Sequence, residues 1–423
     1  MVGCIPAIAL NHIVWLITYV QSSGHAETYF EPTSGIPINY GVQAYINDNT
    51  TQAFFGRLGV ALQPATVPPF KDTYIDFTTG KPVLGYPSAD PAPALAKYVG
   101  LISQAPLNVL QTPGGALDAF NAAITPESID PFIQPFGEFV TKNGLEAALP
   151  VFWAFDYAFG DLAKAPVLNA VREFGLEQLL ALSTNGFVIP ASYANSELYS
   201  RALGLLGKDV LLNSTVDEIT RYKKKAHEIV INTPTGKKLV KAKKLVITIA
   251  PSIHNLDPLD ISKAEKSVFK QWNYQTLYVG VVSNTGLPDN VNFINTSPTN
   301  TFNFPTGPFV YRFDYSGVPG HFRFVVVGDS DYSAKSAKKL IKESIKHLAL
   351  NGTASAKPVF NVFTAHKPNT LRPSAQAIKD GFYKKLYSLQ GYKNTFWLGA
   401  GWSTDYSSLL WNRADQLLPT ISA

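Results

Sequence analysis

The chain has 423 residues, of which 46% are hydrophobic and only 16% are charged, so it can bury a large core and is not a disordered protein. The net charge of +5 would suit nucleic acid, but the basic runs at 223–225, 237–244 and 335–346 fall on predicted surface elements, so we expect no such partner. Cys4 is the only cysteine, which excludes an intrachain disulfide and a cysteine-built metal site.

The amino-terminal segment is largely apolar, and residues 5–20 are similar to a signal-peptide core or a short membrane anchor. Asn11 and His12 interrupt it, and no basic residue precedes it, so membrane insertion is not favoured. Secreted and cytoplasmic locations both stay open. A third interpretation is that this segment takes no part in the fold.

Residues 54–193 are rich in Pro, Phe and Tyr and predict several helices with irregular joints. This segment contains an aromatic run that is more typical of a core than of a cofactor site, namely Phe152, Trp153, Phe155, Tyr157 and Phe159.

The clearest local pattern lies between residues 195 and 251. A helix capped by Asn195 or Ser196 is predicted to end at Gly207. A short strand at 210–212 and an antiparallel meander of strands at 216–222, 227–233 and 238–241 follow, before a β-branched run at 244–250 that is typical of a buried parallel strand. The apolar face of the helix is predicted to contain Leu198, Ala202, Leu205 and Leu206.

Strands are predicted at 272–284 and 322–327, followed by an amphipathic helix at 334–348. Near the carboxyl terminus, a strand at 395–398, the turn Gly399-Ala400-Gly401 and a helix at 407–418, stopped by Pro419, follow one another. Such a junction directs backbone N–H groups and the positive end of the helix dipole at a ligand above the sheet.

Several stretches look like segments of one protein family. Residues 23–28 are similar to its Gly-Gly-His segment, with serine in the first position, and residues 40–42 resemble the strand that follows. Other matches lie at 76–81, 195–199, 243–247 and 381–387, and the most specific one joins the Gly399 turn to residues 407–411. From about Gly24 onward the chain resembles the flavin-containing amine oxidase superfamily, and more closely its fungal branch of β-cyclopiazonate dehydrogenase-like proteins.

The resemblance implies FAD as the cofactor. In the family the matching residues touch the flavin, its phosphates or, at Val216, the adenine; they are Gly24, His25, Gly41, Val42, Val216, Gly399, Ala400, Gly401, Ser407, Ser408 and Leu409. The family's G-x-G-x-x-G strand, turn and helix, a unit of about 30 residues, is not found before Gly24. We therefore expect a truncated or misassembled gene product in which residues 1–21 substitute for that unit.

The implied fold class is mixed α/β: an incomplete Rossmann-like FAD-binding domain with a β-meander crossover, interleaved with a substrate domain rich in helices and mixed sheet. Beyond an atypical amino terminus at 1–22, the resemblance assigns residues 23–60, 196–256 and 390–423 to the FAD-binding domain and 61–195 and 257–389 to the substrate domain.

The implied activity is hydride transfer from an amine or an indole-type metabolite to FAD, with dioxygen as electron acceptor. That step requires no protein acid or base, so no catalytic residue is predicted. Residues 274–282 lack the lysine that oxidases of simple amines place near the flavin, which argues against simple amines. Two alternatives stay open: a cofactor-deficient pseudoenzyme or binding protein derived by amino-terminal truncation, and a secreted or membrane-tethered glycoprotein.

Overall fold

The computed structural model describes residues 16–17, 25–66, 68–349 and 357–423. Within these ranges the strands are β1 (Leu16–Ile17), β2 (Thr28–Phe30), β3 (Pro37–Asn39), β4 (Tyr45–Ile46), β5 (Leu62–Pro64), β6 (Lys71–Asp76), β7 (Lys81–Pro82), β8 (Phe187–Pro190), β9 (Val210–Leu211), β10 (Thr215–Thr220), β11 (His227–Thr233), β12 (Gly236–Ala242), β13 (Leu245–Ile247), β14 (Asn273–Ser283), β15 (Val291–Asn295), β16 (Phe309–Tyr315), β17 (His321–Gly328), β18 (Val359–Arg372) and β19 (Thr395–Trp397).

The α-helices in the same ranges are α1 (Asn49–Arg57), α2 (Ala92–Ile102), α3 (Asp118–Ala123), α4 (Asp130–Ile133), α5 (Phe136–Lys142), α6 (Leu149–Asp156), α7 (Val167–Glu173), α8 (Leu176–Ser183), α9 (Ser196–Leu206), α10 (Lys263–Phe269), α11 (Ala334–Leu348), α12 (Ala375–Lys379), α13 (Phe382–Tyr387) and α14 (Ser407–Ser422). This mixture of helices and several sheets confirms the predicted mixed α/β class.

The largest sheet has seven strands in the order β18-β14-β17-β16-β15-β6-β7. Its neighbouring strands are antiparallel except β15 and β6, which are parallel. Helix α11 covers one face, where Ile341 and Ile345 are buried. The predicted strands at β14 and β17 and the predicted helix α11 are confirmed. Strands β6, β15, β16 and β18 of this sheet are not apparent from local sequence patterns.

The region from α9 to β13 follows the predicted order of helix, strand, meander and strand. Strands β10, β11 and β12 form a three-stranded antiparallel meander, and β13 pairs in parallel with β19. The buried strand is shorter than the predicted 244–250, because it ends at Ile247 and the Ile249 side chain is 48% exposed. The strand ends there because its partner β19 ends. Leu398 donates the last hydrogen bond, to the Ile247 carbonyl, and the chain changes direction at Gly399.

Two details of helix α9 differ from the prediction. Leu205 is 60% exposed, because the buried stripe of the helix is narrower and consists of Leu198, Tyr199 and Ala202. Asn195 stands at the amino-terminal end but makes no side-chain cap, because its amide donates to the Val42 carbonyl at 2.6 Å.

The prediction that α14 stops at Pro419 is wrong, because the helix continues to Ser422. A proline in the last turn removes only one hydrogen bond, that to the carbonyl four residues earlier. The Pro419 carbonyl in turn accepts the Ala423 N–H group, so the final turn closes around the proline.

Of the amino-terminal segment, only Leu16–Ile17 is described, and it pairs in parallel with Val210–Leu211. The interpretation that this segment takes no part in the fold is therefore wrong for these two residues. The rest of the proposed anchor and of the substitute segment lies outside the described residues. Among the helices described, none is both long and apolar enough to span a bilayer. The predicted domain boundaries stay a prediction.

A buried charge network attaches the meander to α10. The Arg221 and Glu265 side chains are fully buried, and two hydrogen bonds of 2.7 and 2.9 Å join them. Arg221 Nε also donates to Asp260 at 2.7 Å, while the Glu265 carboxylate accepts the N–H group of Ser262 in a capping box. Because each charge has a partner, the network holds the meander and α10 in one arrangement.

Candidate functional site

A cavity of about 520 Å³ lies between the largest sheet and the segments around β19 and β3. Its size is typical of a site for a small molecule or cofactor. The wall is built from chain segments that are far apart in sequence: 25–26, 41–44, 154–159, 248–251, 368–371, 398–401 and 405–407, together with Glu173, Leu277, Val279 and His366.

The turn after β19 forms one end of the cavity. Gly399 has φ 115°, a conformation that favours glycine, and it redirects the chain from the strand into a short 3₁₀ turn at Ala400–Trp402. Within the described residues, no group accepts a hydrogen bond from the N–H groups of Ala400 and Gly401. Since all three residues of the turn line the cavity, it offers donors for an anionic or electron-rich ligand.

The carbonyl groups of this turn are held by one buried and one partly buried side chain. Arg172 is 7% exposed, and its Nη2 atom donates to the Ala400 carbonyl at 3.0 Å and also to the Ser403 carbonyl. Tyr387 donates its hydroxyl proton to the Trp402 carbonyl at 2.9 Å. These contacts fix the orientation of the peptide groups on which any ligand binding by the turn would depend.

Helix α14 begins at Ser407 beside the same cavity, so the positive end of its dipole lies there. The preceding residue, Tyr406, makes no side-chain cap, and the described residues supply no acceptor for the first N–H groups of the helix. The Ser408 hydroxyl accepts the Ile46 N–H group at 2.9 Å, and Leu409 packs in a separate apolar cluster. Both residues are buried and neither lines the cavity, so the structure does not bring these two candidate residues to the site.

The segment after β3 forms a second close approach of backbone to cavity. A Cβ atom on Gly41 would lie 1.7 Å from the His25 carbonyl oxygen, so no larger residue fits. Val42 donates its N–H group to that same carbonyl at 2.8 Å. The backbone of Gly41 and Val42 is thus packed directly against the backbone of His25, and both residues lie on the cavity wall.

The structure brings seven of the eleven candidate cofactor residues together at this cavity: His25, Gly41, Val42, Gly399, Ala400, Gly401 and Ser407. Val216 lies in β10 of the meander and packs on the apolar core rather than on the cavity. Gly24 lies outside the described residues. The cavity also contains residues that sequence patterns did not single out, above all Asp156, Glu173, His366 and Asp405.

Carboxyl groups occupy one part of the wall. Asp156 at the end of α6 is 1% exposed, and neither carboxyl oxygen has a hydrogen-bond partner among the described residues. Burial, and then the nearby Glu173, raise the pKa of Asp156 well above its usual value. Burial and then Asp405 raise the pKa of Glu173 to about 8. Both acids are therefore biased toward the protonated form, which can donate a hydrogen bond.

The aromatic run divides between core and cavity. Phe152, Trp153 and Phe159 are buried in the core, and Phe159 also lines the cavity together with Phe155 and Tyr157. The Tyr157 ring also stacks on Tyr311 with centroids 4.2 Å apart. The expectation of an ordinary core thus holds for three of the five side chains, and Phe155, Tyr157 and Phe159 give the cavity an aromatic wall.

Comparison with known proteins gives relatives along almost the whole chain. β-Cyclopiazonate dehydrogenase of Aspergillus flavus is 34% identical over 403 residues, which cover 95% of this chain and 85% of that protein. The FAD-dependent oxidoreductase oblC of Cochliobolus heterostrophus is 30% identical over 440 residues, with coverage of 100% and 89%. The FAD-dependent oxidoreductase pigF of Monascus ruber is 30% identical over 421 residues, with coverage of 97% and 87%. No protein-family profile matches the chain.

Solved structures share the fold at low sequence identity. A fatty acid isomerase from P. acnes superimposes with a TM-score of 0.74 at 14% identity, covering 98% of this chain and all of that one. A putrescine oxidase variant superimposes with a TM-score of 0.64 at 12% identity, covering 99% and 96%. At such identities the likeness concerns the fold alone.

Proposed function

The chain belongs to the family of fungal FAD-dependent oxidoreductases that includes β-cyclopiazonate dehydrogenase, and we propose from this premise that it binds FAD in the 520 Å³ cavity and oxidises a small organic molecule there. The observation that carries the proposal is the Gly399 turn, which combines a glycine conformation, available N–H groups and the start of α14 at one wall of the cavity. The relatives named here are described as oxidoreductases, so nothing favours a cofactor-free binding protein over this activity.

The residues present fit the cofactor. The N–H groups of the Gly399 turn and of the first turn of α14 suit phosphate or the carbonyl edge of a flavin ring. Gly41 allows the backbone to reach the cavity where a Cβ atom would be blocked. Because Arg172 holds two carbonyl groups of the turn from outside the cavity, the N–H groups keep their direction without a ligand.

Bound FAD supplies the hydride acceptor, and this chain's own residues orient the substrate and exclude water. Phe155, Tyr157 and Phe159 provide flat apolar surface against which a ring can lie. Glu173, whose pKa is raised by burial to about 8, can provide a hydrogen-bond donor at the cavity wall. We therefore propose a substrate with an aromatic or fused ring and a polar nitrogen or oxygen, an amine or an indole-type metabolite, with dioxygen as the final acceptor.

The first test is the colour of the protein. The purified chain is expected to be yellow and to release close to one FAD on denaturation. Gly41→Ala should lose most of this FAD, because the new Cβ collides with the His25 carbonyl. Gly100→Ala is the matched control, since a Cβ there in α2 meets no atom within 4 Å. A folded wild-type protein that stays colourless when incubated with FAD refutes the proposal.

The second test concerns the substrate. β-Cyclopiazonate, the compound in the name of the relative, is mixed with the FAD-loaded protein without oxygen, and the flavin absorbance is followed. Bleaching, with recovery of the absorbance when oxygen is admitted, supports both the substrate class and dioxygen as acceptor. A yellow protein that this compound does not bleach would separate the substrate proposal from the cofactor proposal.

A further inference from the structure

Three ionisable side chains meet where the β2–β3 hairpin contacts the largest sheet. His366 lies on β18 opposite Leu277 of β14, and both residues line the cavity. Its Nε2 atom is 3.3 Å from Oε2 of Glu27, and the two side chains are only 8% and 10% exposed. The ring of His25 lies against that of His366, with centroids 4.0 Å apart.

This arrangement determines which nitrogen of His366 is available. A carboxylate beside Nε2 favours the tautomer in which Nε2 carries the hydrogen atom and donates a hydrogen bond to Glu27. Nδ1 then keeps its lone pair, and no described residue donates a hydrogen bond to it. A neutral imidazole oriented in this way by a carboxylate is the arrangement of a general base.

Other ionisable groups lie around His366 and Glu27. Glu27 lies beside the ring, and Tyr40 lies next to Glu27. Asp405, whose pKa is raised by burial, interacts electrostatically with His366 from the loop before α14. Burial, and then the neighbouring His366, lower the pKa of His25 well below its usual value, although His25 keeps surface in the cavity. His25 is therefore biased toward the neutral form, and an imidazolium formed on His366 would have the Glu27 carboxyl group beside it.

We propose that His366 is the proton acceptor of the oxidation and that Glu27 is its positioning residue. The inference rests on the proposed function, which supplies FAD as the oxidant. The substrate loses a hydride from a C–H bond to FAD and a proton from the adjacent N–H or O–H group to Nδ1 of His366. The two electrons of that N–H or O–H bond become the second bond of a C=N or C=O group.

The substrate class follows from this step. A molecule whose oxidisable carbon bears a nitrogen or oxygen with a hydrogen atom can use the base, whereas a substrate with a fully substituted heteroatom cannot. His366 also differs from Asp156 and Glu173, because their raised pKa values favour the protonated form, which is a poor proton acceptor.

The test begins with His366→Gln and Glu27→Gln, with His347→Gln as the matched control. His347 lies on α11, where it contacts the Phe77 carbonyl, and it does not line the cavity. In anaerobic mixing with β-cyclopiazonate, His366→Gln is expected to slow flavin bleaching by about 10² to 10⁴-fold. Glu27→Gln should slow it by about 10 to 100-fold, with Glu27→Asp recovering part of the rate.

The pH profile separates a catalytic role from a structural one. The wild-type bleaching rate should rise with pH through one ionisation, because only neutral His366 accepts a proton. This increase of the rate with pH should be absent in His366→Gln. FAD content and thermal midpoint should remain those of the wild type. If His366→Gln bleaches at the wild-type rate with the same profile, the proposal is overturned.

A measurement without substrate covers the case in which β-cyclopiazonate does not react. The FAD-loaded proteins are photoreduced at pH 8 in weak buffer, and a dye reports the protons taken up per two electrons. The wild type should take up more protons than His366→Gln, because the negative charge gained by the flavin on reduction favours the imidazolium. Equal uptake overturns the role of His366, whereas a protein that holds no FAD refutes the proposed function instead.

Discussion

Replacement of Asp156 by asparagine should stabilise the protein at neutral pH. Asp156 is 1% exposed, both of its oxygens lack partners among the described residues, and burial raises its pKa well above the usual value of 3.8. The carboxyl group thus stays protonated in the folded chain at a pH where it ionises in the unfolded chain. Asparagine has nearly the same shape and no charge to lose, so it avoids this difference.

The magnitude follows from proton linkage. A group whose pKa is raised in the folded state makes its full contribution to stability below the pKa that it has in the unfolded state. This contribution is lost as the pH rises toward the pKa of the folded state. The loss is about 1.4 kcal/mol per pH unit, so between pH 3.8 and pH 6 the wild type loses at most about 3 kcal/mol. Local relaxation and entry of water reduce this loss. We therefore expect Asp156→Asn to raise the free energy of unfolding by about 1.5 to 3 kcal/mol at pH 6.

The assay is a comparison of denaturation midpoints at pH 4 and pH 6 for the FAD-loaded proteins. The variant should match the wild type at pH 4 and exceed it at pH 6, while Asp331→Asn, at an exposed position, should show no such difference. A variant that is no more stable than the wild type at either pH would mean that a cation or donor satisfies Asp156, and the reasoning from burial would be refuted.

Two further substitutions test contacts outside the wall of the cavity. Arg172→Gln removes the donor to the Ala400 and Ser403 carbonyls. Because unsatisfied acceptors cost about 1 to 3 kcal/mol each, the FAD dissociation constant should rise by about 10 to 100-fold. Arg201→Gln, at a surface pair, should leave that constant unchanged. Glu265→Gln breaks the buried pair with Arg221 and should cost about 3 to 5 kcal/mol in the free energy of unfolding, seen as a lower thermal midpoint at unchanged FAD affinity.

The sequence predicts best those features that depend on neighbouring residues. Helix α11 is predicted with its observed bounds because its apolar residues repeat at helical spacing over four turns. The Gly399 turn is predicted because strand, glycine and helix follow one another within a few residues. The meander is predicted for the same reason, since alternating strands and a tight turn lie side by side in the chain.

Features that depend on distant partners are not predicted. Strand β6 joins the largest sheet through a parallel pairing with β15, more than 200 residues away, and nothing in its own sequence specifies that partner. The exposure of Leu205 is likewise decided by what packs on α9, because its helical position alone would also suit the buried face. Local patterns therefore identify elements more reliably than the faces or partners of those elements.

The same distinction explains why the cavity is only partly predicted. Backbone donors at Gly399 and Ser407 belong to a local motif, so their chemistry can be inferred before the fold is known. His366 and Glu27 are 339 residues apart, and their contact exists only because β18 pairs with β14 beside the β2–β3 hairpin. Cofactor binding can thus be predicted from short motifs, whereas the group that would accept the substrate's proton depends on tertiary structure. For this reason His366 and Glu27, rather than the glycine turn, are the positions at which we expect substitutions to affect the reaction without loss of the cofactor.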